Sequence, residues 1–176
     1  MRFLTITAAN DPNLPFVKDL YMNSFPREER REWPQLTNKI TTSEEMTLQV
    51  MEEDGRLLGF WIIWVLDDWC FLEHFAIDPV WRSKQYGRRM MQELMRHNQV
   101  LLEVEPPHTH DAIRRIEFYE KLGLKQLPFN YLQPSYINPD TSYPMILMTN
   151  ATATEGHEYS NIIRLVQSRV YNSDPK

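Results

Sequence analysis

The sequence contains one cysteine, Cys70, in 176 residues. One thiol builds neither an internal disulfide nor a cysteine-cluster metal site, so a reducing, cytoplasmic setting is expected. Cys70 stands in Trp69-Cys70-Phe71-Leu72, where it reads as a small core residue rather than a nucleophile. Long apolar runs are missing too. The longest, Leu57 to Leu66, contains Gly59 and stops at Asp67-Asp68, too short to span a bilayer. No apolar segment follows a basic start, so neither a signal peptide nor a membrane partner is expected. A basic excess is also lacking. The net charge is -5, which argues against a nucleic-acid partner. There is no internal repeat and no low-complexity block. The length suits one compact domain and is short for two.

What is present is a regular alternation of strand and helix signals. Arg2 to Ala8 alternates apolar and polar residues, as an edge strand does. Asn10-Asp11-Pro12 is a turn and helix start, after which Leu14, Val17, Leu20 and Tyr21 recur at helical spacing. A charged second helix is predicted over Pro26 to Leu36. Met46 to Glu52 and Leu57 to Leu66 read as a hairpin around Asp54-Gly55. Trp69 to Ile77 is a further strand, closed by Asp78-Pro79. A helix follows from Tyr86 to His97, then a strand from Val100 to Val104. The next helix runs from Asp111, its expected N-cap, to Leu122, and Gly123 stops it. Leu124 to Leu132 and Tyr143 to Thr149 are the last two strands, separated by a loop holding Pro134, Pro139 and Pro144. That order predicts an α/β domain with a mixed sheet over residues 1–150. Residues 151–176 read as a polar linker and a short amphipathic helix carrying Ile162, Ile163, Leu165, Val166 and Val170. The helix is expected to pack on its own domain, with a homodimer contact as the alternative.

The turn before Tyr86 concentrates the chemistry. A helix start offers unbonded N–H groups and the positive end of its dipole, which together attract anions. Gly87 lets a ligand approach the backbone closely. Arg82, Lys84, Arg88 and Arg89 place positive charge around the same point. A diphosphate suits that arrangement, and a solvated charged turn is the bland alternative.

Two motifs then point to a family. Leu72-Glu73-His74-Phe75-Ala76-Ile77-Asp78-Pro79, followed by Arg82-Ser83-Lys84-Gln85-Tyr86-Gly87-Arg88, resembles the acetyl-CoA signature of the GNAT superfamily of N-acetyltransferases. The family pattern is Arg/Gln-x-x-Gly-x-Gly/Ala between a strand and a helix. Arg82 fills its first position, Gly87 its last, and Gln85 stands where the first glycine is usual. Downstream, Arg115-Ile116-Glu117-Phe118-Tyr119-Glu120-Lys121-Leu122-Gly123-Leu124 is similar to the family helix that ends in a Phe-Tyr-Glu-Lys-Leu-Gly motif. An asparagine common seven residues before the tyrosine is replaced by Ala112. Ser24 to Arg30 resembles the loop that joins the first two helices and lines the acceptor site.

The resemblance implies a single GNAT-like α/β domain with a central mixed, mostly antiparallel sheet flanked by helices, and a C-terminal helical tail. It implies an enzyme that moves an acetyl group from acetyl-CoA, its co-substrate, to a primary amine by direct attack in a ternary complex. No metal is implied. A regulatory acyl-CoA-binding module with a degenerate site is the alternative. By the same resemblance, Phe75, Ala76 and Ile77 bind the pantetheine arm through their backbone. Arg82, Ser83, Lys84, Gln85, Tyr86, Gly87 and Arg88 hold the diphosphate, and Tyr119 protonates the leaving thiolate. The candidate base is Glu73, an acid in an apolar strand segment where burial raises a carboxyl pKa. Pairing with an arginine is its alternative role. His74 points to the opposite face. Glu103 and Glu105 share one face of the next strand and are reserve candidates. His108 and His110 read as a solvated turn, with no third metal ligand evident.

Overall fold

The computed structural model describes residues 1–138, 140–152 and 156–173. Pro139 and part of the 151–155 linker lie outside the described residues. The fold is α/β, with mostly antiparallel strands and flanking helices. It divides into two compact units, Met1–Trp64 with Leu72–Glu93, and Val65–Phe71 with Leu94–Lys176.

The first unit is built on β1 (Arg2–Ile6), β2 (Met46–Glu53), most of β3 (Arg56–Leu66) and the latter part of β4 (Trp69–Ile77), in that spatial order. β1 pairs antiparallel with β2, and β2 with β3. The β2–β3 turn is tight because Asp54 and Gly55 both take positive φ, 53° and 76°, the mirror-image turn that matches strand twist. Gly59 lets β3 and β4 approach closely. A Cβ there would stand 2.4 Å from the Ala76 carbonyl oxygen. Helix α1 (Leu14–Ser24) buries Leu14, Val17, Leu20 and Tyr21, the stripe its spacing predicts.

The expected helix over Pro26 to Leu36 is corrected. Arg27–Glu29 forms one 3-10 turn, and α2 runs from Trp33 to Thr42. Pro34 explains the shift, because it sits in the first turn of α2, where a missing N–H costs nothing. Helix α3 (Tyr86–His97) begins in this unit.

The second unit contains β5 (Gln99–Val104), α4 (His110–Glu120), β6 (Lys125–Gln126), β7 (Tyr131–Pro134), β8 (Ser142–Thr149) and α5 (Gly156–Leu165). A π turn, Val166–Val170, extends α5. β8 is the hub, pairing antiparallel with β5, β6 and β7. The predicted strand Leu124 to Leu132 is broken into β6 and β7 around Pro128, which cannot donate to a ladder. The N-cap of α4 is Thr109, whose hydroxyl accepts from the Ala112 amide at 3.1 Å. Asp111 instead lies in the first turn and binds Arg114 at 2.6 Å. Gly123, at φ 97°, ends the helix as expected. Cys70 is buried, and burial pushes its thiol up to about 12.

Candidate acyl-transfer site

Strand β4 carries Glu73 and leads into the basic turn. The Glu73 side chain is fully buried, so the part of Glu73 that reaches solvent is its main chain. One carboxylate oxygen lies 2.8 Å from an Arg31 guanidinium nitrogen. The other accepts from Trp64 Nε1 at 2.7 Å. Arg31 is itself buried, at 5% exposure, and its guanidinium lies 5.8 Å from the centre of the Trp64 ring. Its backbone N–H donates to Tyr21 Oη at 2.9 Å. Lys39 Nζ stands 5.1 Å from the Trp64 ring centre, and burial, then the Arg31 charge, lowers its pKa. Glu73 therefore sits inside a matched ionic cluster.

His74 is buried on β4 next to Phe25 and Tyr21, with ring centroids at 4.5 Å and 5.0 Å. Its Nε2 lies 3.4 Å from Tyr21 Oη. Burial lowers its pKa to about 4, with Arg31 and Arg30 adding to the effect and Glu73 opposing it. It is a neutral ring at pH 7. The loop after α1 is thus anchored by the tilted contact of the Phe25 and His74 rings and by Arg30 Nε donating to the Phe25 carbonyl at 3.0 Å.

Past Ile77 the chain becomes exposed. Asp78 caps a short 3-10 turn, Pro79–Trp81, by accepting from the Val80 amide at 2.9 Å. Arg82 Nε donates back to the Ile77 carbonyl at 3.1 Å. Lys84 Nζ lies 4.5 Å from the centre of the Trp81 ring. Ser83 and Gln85 both take positive φ, 61° and 66°, conformations that bulkier residues rarely adopt. Gln85 keeps, at the position where the family pattern has glycine, the backbone shape that glycine allows. Its side chain is exposed, as are those of Arg82, Ser83, Lys84 and Arg88.

The Arg89 amide donates to the Gln85 carbonyl at 3.0 Å, so α3 starts after Gln85. The amides of Tyr86, Gly87 and Arg88 then have no acceptor within the helix. Between Asp78 and Glu93 the sequence holds no acidic residue. One of the local cations is spoken for. Arg89 makes a two-pronged contact with Glu53, at 2.6 Å and 3.1 Å. That contact, more than the neighbouring N-terminal ammonium, holds Glu53 down to about 2. The arrangement gives unbonded amides, a helix dipole and solvent-facing cations, Arg82, Lys84 and Arg88, with no acidic partner among the described residues, a fit for a diphosphate. Phe75 and Ile77 are half-buried and Ala76 is buried.

Tyr119 belongs to the second unit. It is buried on α4 and touches Phe118 at 5.2 Å between ring centres. Burial is the main cause that raises its phenol to about 12, so it stays a proton donor at neutral pH. The structure brings Glu73 and the residues from Phe75 to Arg88 into one unit and places Tyr119 in the other. The reserve carboxylates carry partners. Glu103 accepts from Tyr131 and Tyr171, each at 2.5 Å, and Glu105 is bound by Arg115. His108 and His110 are exposed, and no group of three metal-binding side chains occurs among the described residues.

Sequence reasoning missed Arg31, Trp64 and Tyr21 as neighbours of β4. Arg31 lies in a run of charged residues that reads as solvated, and no local pattern announces a partner 42 positions away in the chain. The Arg89–Glu53 clamp was missed for the same reason.

Comparison with known proteins adds an independent line. A family model described as the acetyltransferase (GNAT) family matches residues 14–124. A solved structure described as a GNAT-family acetyltransferase from Bacteroides thetaiotaomicron is 31% identical, with TM-score 0.92 over 99% of this chain and 100% of that one. The ribosomal-protein-S18-alanine N-acetyltransferase of Escherichia coli shares the fold, at 19% identity and TM-score 0.57, over 88% of this chain and 97% of that one. So does an aminoglycoside 6′-N-acetyltransferase complexed with coenzyme A, at 18% identity and TM-score 0.54, over 88% of this chain and 100% of that one. No curated protein matches the sequence.

Proposed function

The chain belongs to the GNAT acetyltransferase family, and from that premise we propose that it moves an acetyl group from acetyl-CoA to a primary amine in a ternary complex. The observation that carries the donor assignment is the exposed basic turn Arg82–Arg88, with left-handed Ser83 and Gln85 opening α3. In this proposal the diphosphate sits on the Tyr86, Gly87 and Arg88 amides, with Arg82, Lys84 and Arg88 neutralising its charge. Ser83 and Gln85 shape the backbone. The main chain of Phe75, Ala76 and Ile77 receives the pantetheine arm and polarises the thioester carbonyl.

The amine nitrogen attacks the acetyl carbon and the C–S bond breaks. Glu73 is the proposed acceptor of the amine proton, and Tyr119 donates its proton to the departing thiolate. A carboxylate paired with a guanidinium is a weak base, and this one is sealed from solvent, so in this proposal Glu73 takes the proton only when its pairing with Arg31 opens toward the acceptor. The lone buried cysteine suits a reducing, cytoplasmic setting.

The test is an acceptor screen with thiol detection on the wild type and Tyr119→Phe. Wild-type protein is expected to release free CoA thiol only when an amine is present. Tyr119→Phe is expected to lower kcat by about 10- to 100-fold, a share typical of one acid–base group. Acetyl-CoA binding without turnover on any amine would point instead to a non-catalytic binding module. Full turnover by Tyr119→Phe would remove that residue from the mechanism.

A further inference from the structure

The second unit contains a half-open groove of about 440 Å³, within the size range of recognition sites. One wall is β7, with Tyr131, Leu132 and Pro134. The other is the C-terminal helix, which contributes Ser160, Ile163, Arg164 and Gln167. Those four positions follow i, i+3, i+4 and i+7 spacing, a single stripe along a helix. The groove thus runs between a strand and a helix face.

β7 is an edge. It pairs with β8 and, among the described residues, with no other strand. An antiparallel edge directs alternate N–H and C=O groups outward, a template for another strand. Proteins guard such edges with charged side chains, and Tyr131-Leu132-Gln133-Pro134 has none. Pro134 confines open pairing to the first part of the strand. Leu132 is 53% exposed, and Phe129 and Ile137 nearby are 38% and 50% exposed. Three exposed large apolar side chains thus fall within nine residues of the chain around β7.

Charge completes the picture. Arg164 is the only charged side chain among the described lining residues. It bonds to uncharged oxygens, the Ser160 carbonyl at 3.4 Å and Asn161 Oδ1, and has no acidic partner among the described residues. We propose that this groove docks an extended peptide segment that adds to β7 as a strand and sets an acidic side chain against Arg164. Main-chain bonds to β7 supply affinity. Alternate side chains supply selectivity, one set on Leu132 and Ile163 and the acid on Arg164. The inference is independent of acetyl transfer.

The test uses full-length ¹⁵N-labelled protein and a library of N-acetylated, C-amidated hexapeptides with glutamate fixed at the third position. A matched library carries lysine there. Glutamate peptides are expected to give saturable amide shifts at Leu132, Gln133 and Arg164. Arg164→Glu is expected to weaken the best peptide by about tenfold or more, near 1.4 kcal/mol. N-methylation at the strand-pairing amides of that peptide is expected to abolish binding. The proposal is overturned by any of three results. One is no saturable binding from the glutamate library. Another is equal binding from the lysine or N-methylated peptides. The third is protection of the β7 edge by self-association of the chain.

Discussion

The two ends of β4 handle charge in opposite ways. Around Glu73 the charges are buried and matched, with Arg31, Trp64 and Glu73 held at hydrogen-bond distances. Between Asp78 and Glu93 the charges are exposed and of one sign, and among the described residues only Arg89 of the local cations has an acidic clamp, Glu53. Buried pairs are strongly destabilising when broken, whereas exposed charges contribute little to stability. The first cluster is therefore a structural constraint as well as a candidate catalytic group. The second is free to serve a ligand.

The sharpest way to break that contrast is Glu73→Gln. It leaves the Arg31 charge buried without its carboxylate, and unfolding in urea is expected to show a loss of about 3–5 kcal/mol. The double variant Arg31→Met/Glu73→Gln is expected to recover most of it. Activity loss in Glu73→Gln therefore counts toward catalysis only if it persists well below the unfolding midpoint.

His74 gives the next largest effect, as a pH dependence. Its pKa falls from 6.5 to about 4 on folding. Below pH 6.5 the unfolded chain takes up a proton that the folded chain does not. His74 therefore stabilises the fold fully above pH 6.5, and that contribution is lost as the pH falls toward 4. The total is about 3 kcal/mol. Urea unfolding at pH 7 and pH 4.5 checks it, as the difference between wild type and His74→Gln. Equal pH dependence in both would mean that the ring is not held neutral.

Gln85→Gly carries the smallest effect and sharpens the exposed end of the comparison. Glycine takes φ 66° without the Cβ penalty, so the variant is expected to be more stable by about 0.5–1 kcal/mol. Its acetyl-CoA affinity is expected to stay equal or rise.

The contrast also explains what could be read from the sequence. Elements with a strong local signal were legible. β4 and α3 fall at their predicted bounds, Trp69–Ile77 and Tyr86–His97, because apolar runs and the Asp78-Pro79 stop are local. The basic turn was legible for the same reason. Pairing of Glu73 with an arginine was open as its alternative role, but the identity of that arginine was not legible, since Arg31 and Glu73 meet only after the chain folds. The α2 start and the β6–β7 break were misplaced where a proline, Pro34 or Pro128, overrode the wider pattern. Thr109 displaced Asp111 as the cap of α4 because both residue types cap well and only the backbone φ and ψ choose between them.

The most direct measurement is calorimetric titration of acetyl-CoA into wild type and Arg88→Glu. Arg88 lies exposed in the first turn of α3, where an acidic residue favours the helix dipole. The variant is expected to keep its Tm while losing about 10- to 100-fold in affinity, as charge reversal beside a diphosphate demands. Equal affinity in the two proteins, or no binding by the wild type, would contradict the assignment of the Arg82–Arg88 turn to acetyl-CoA.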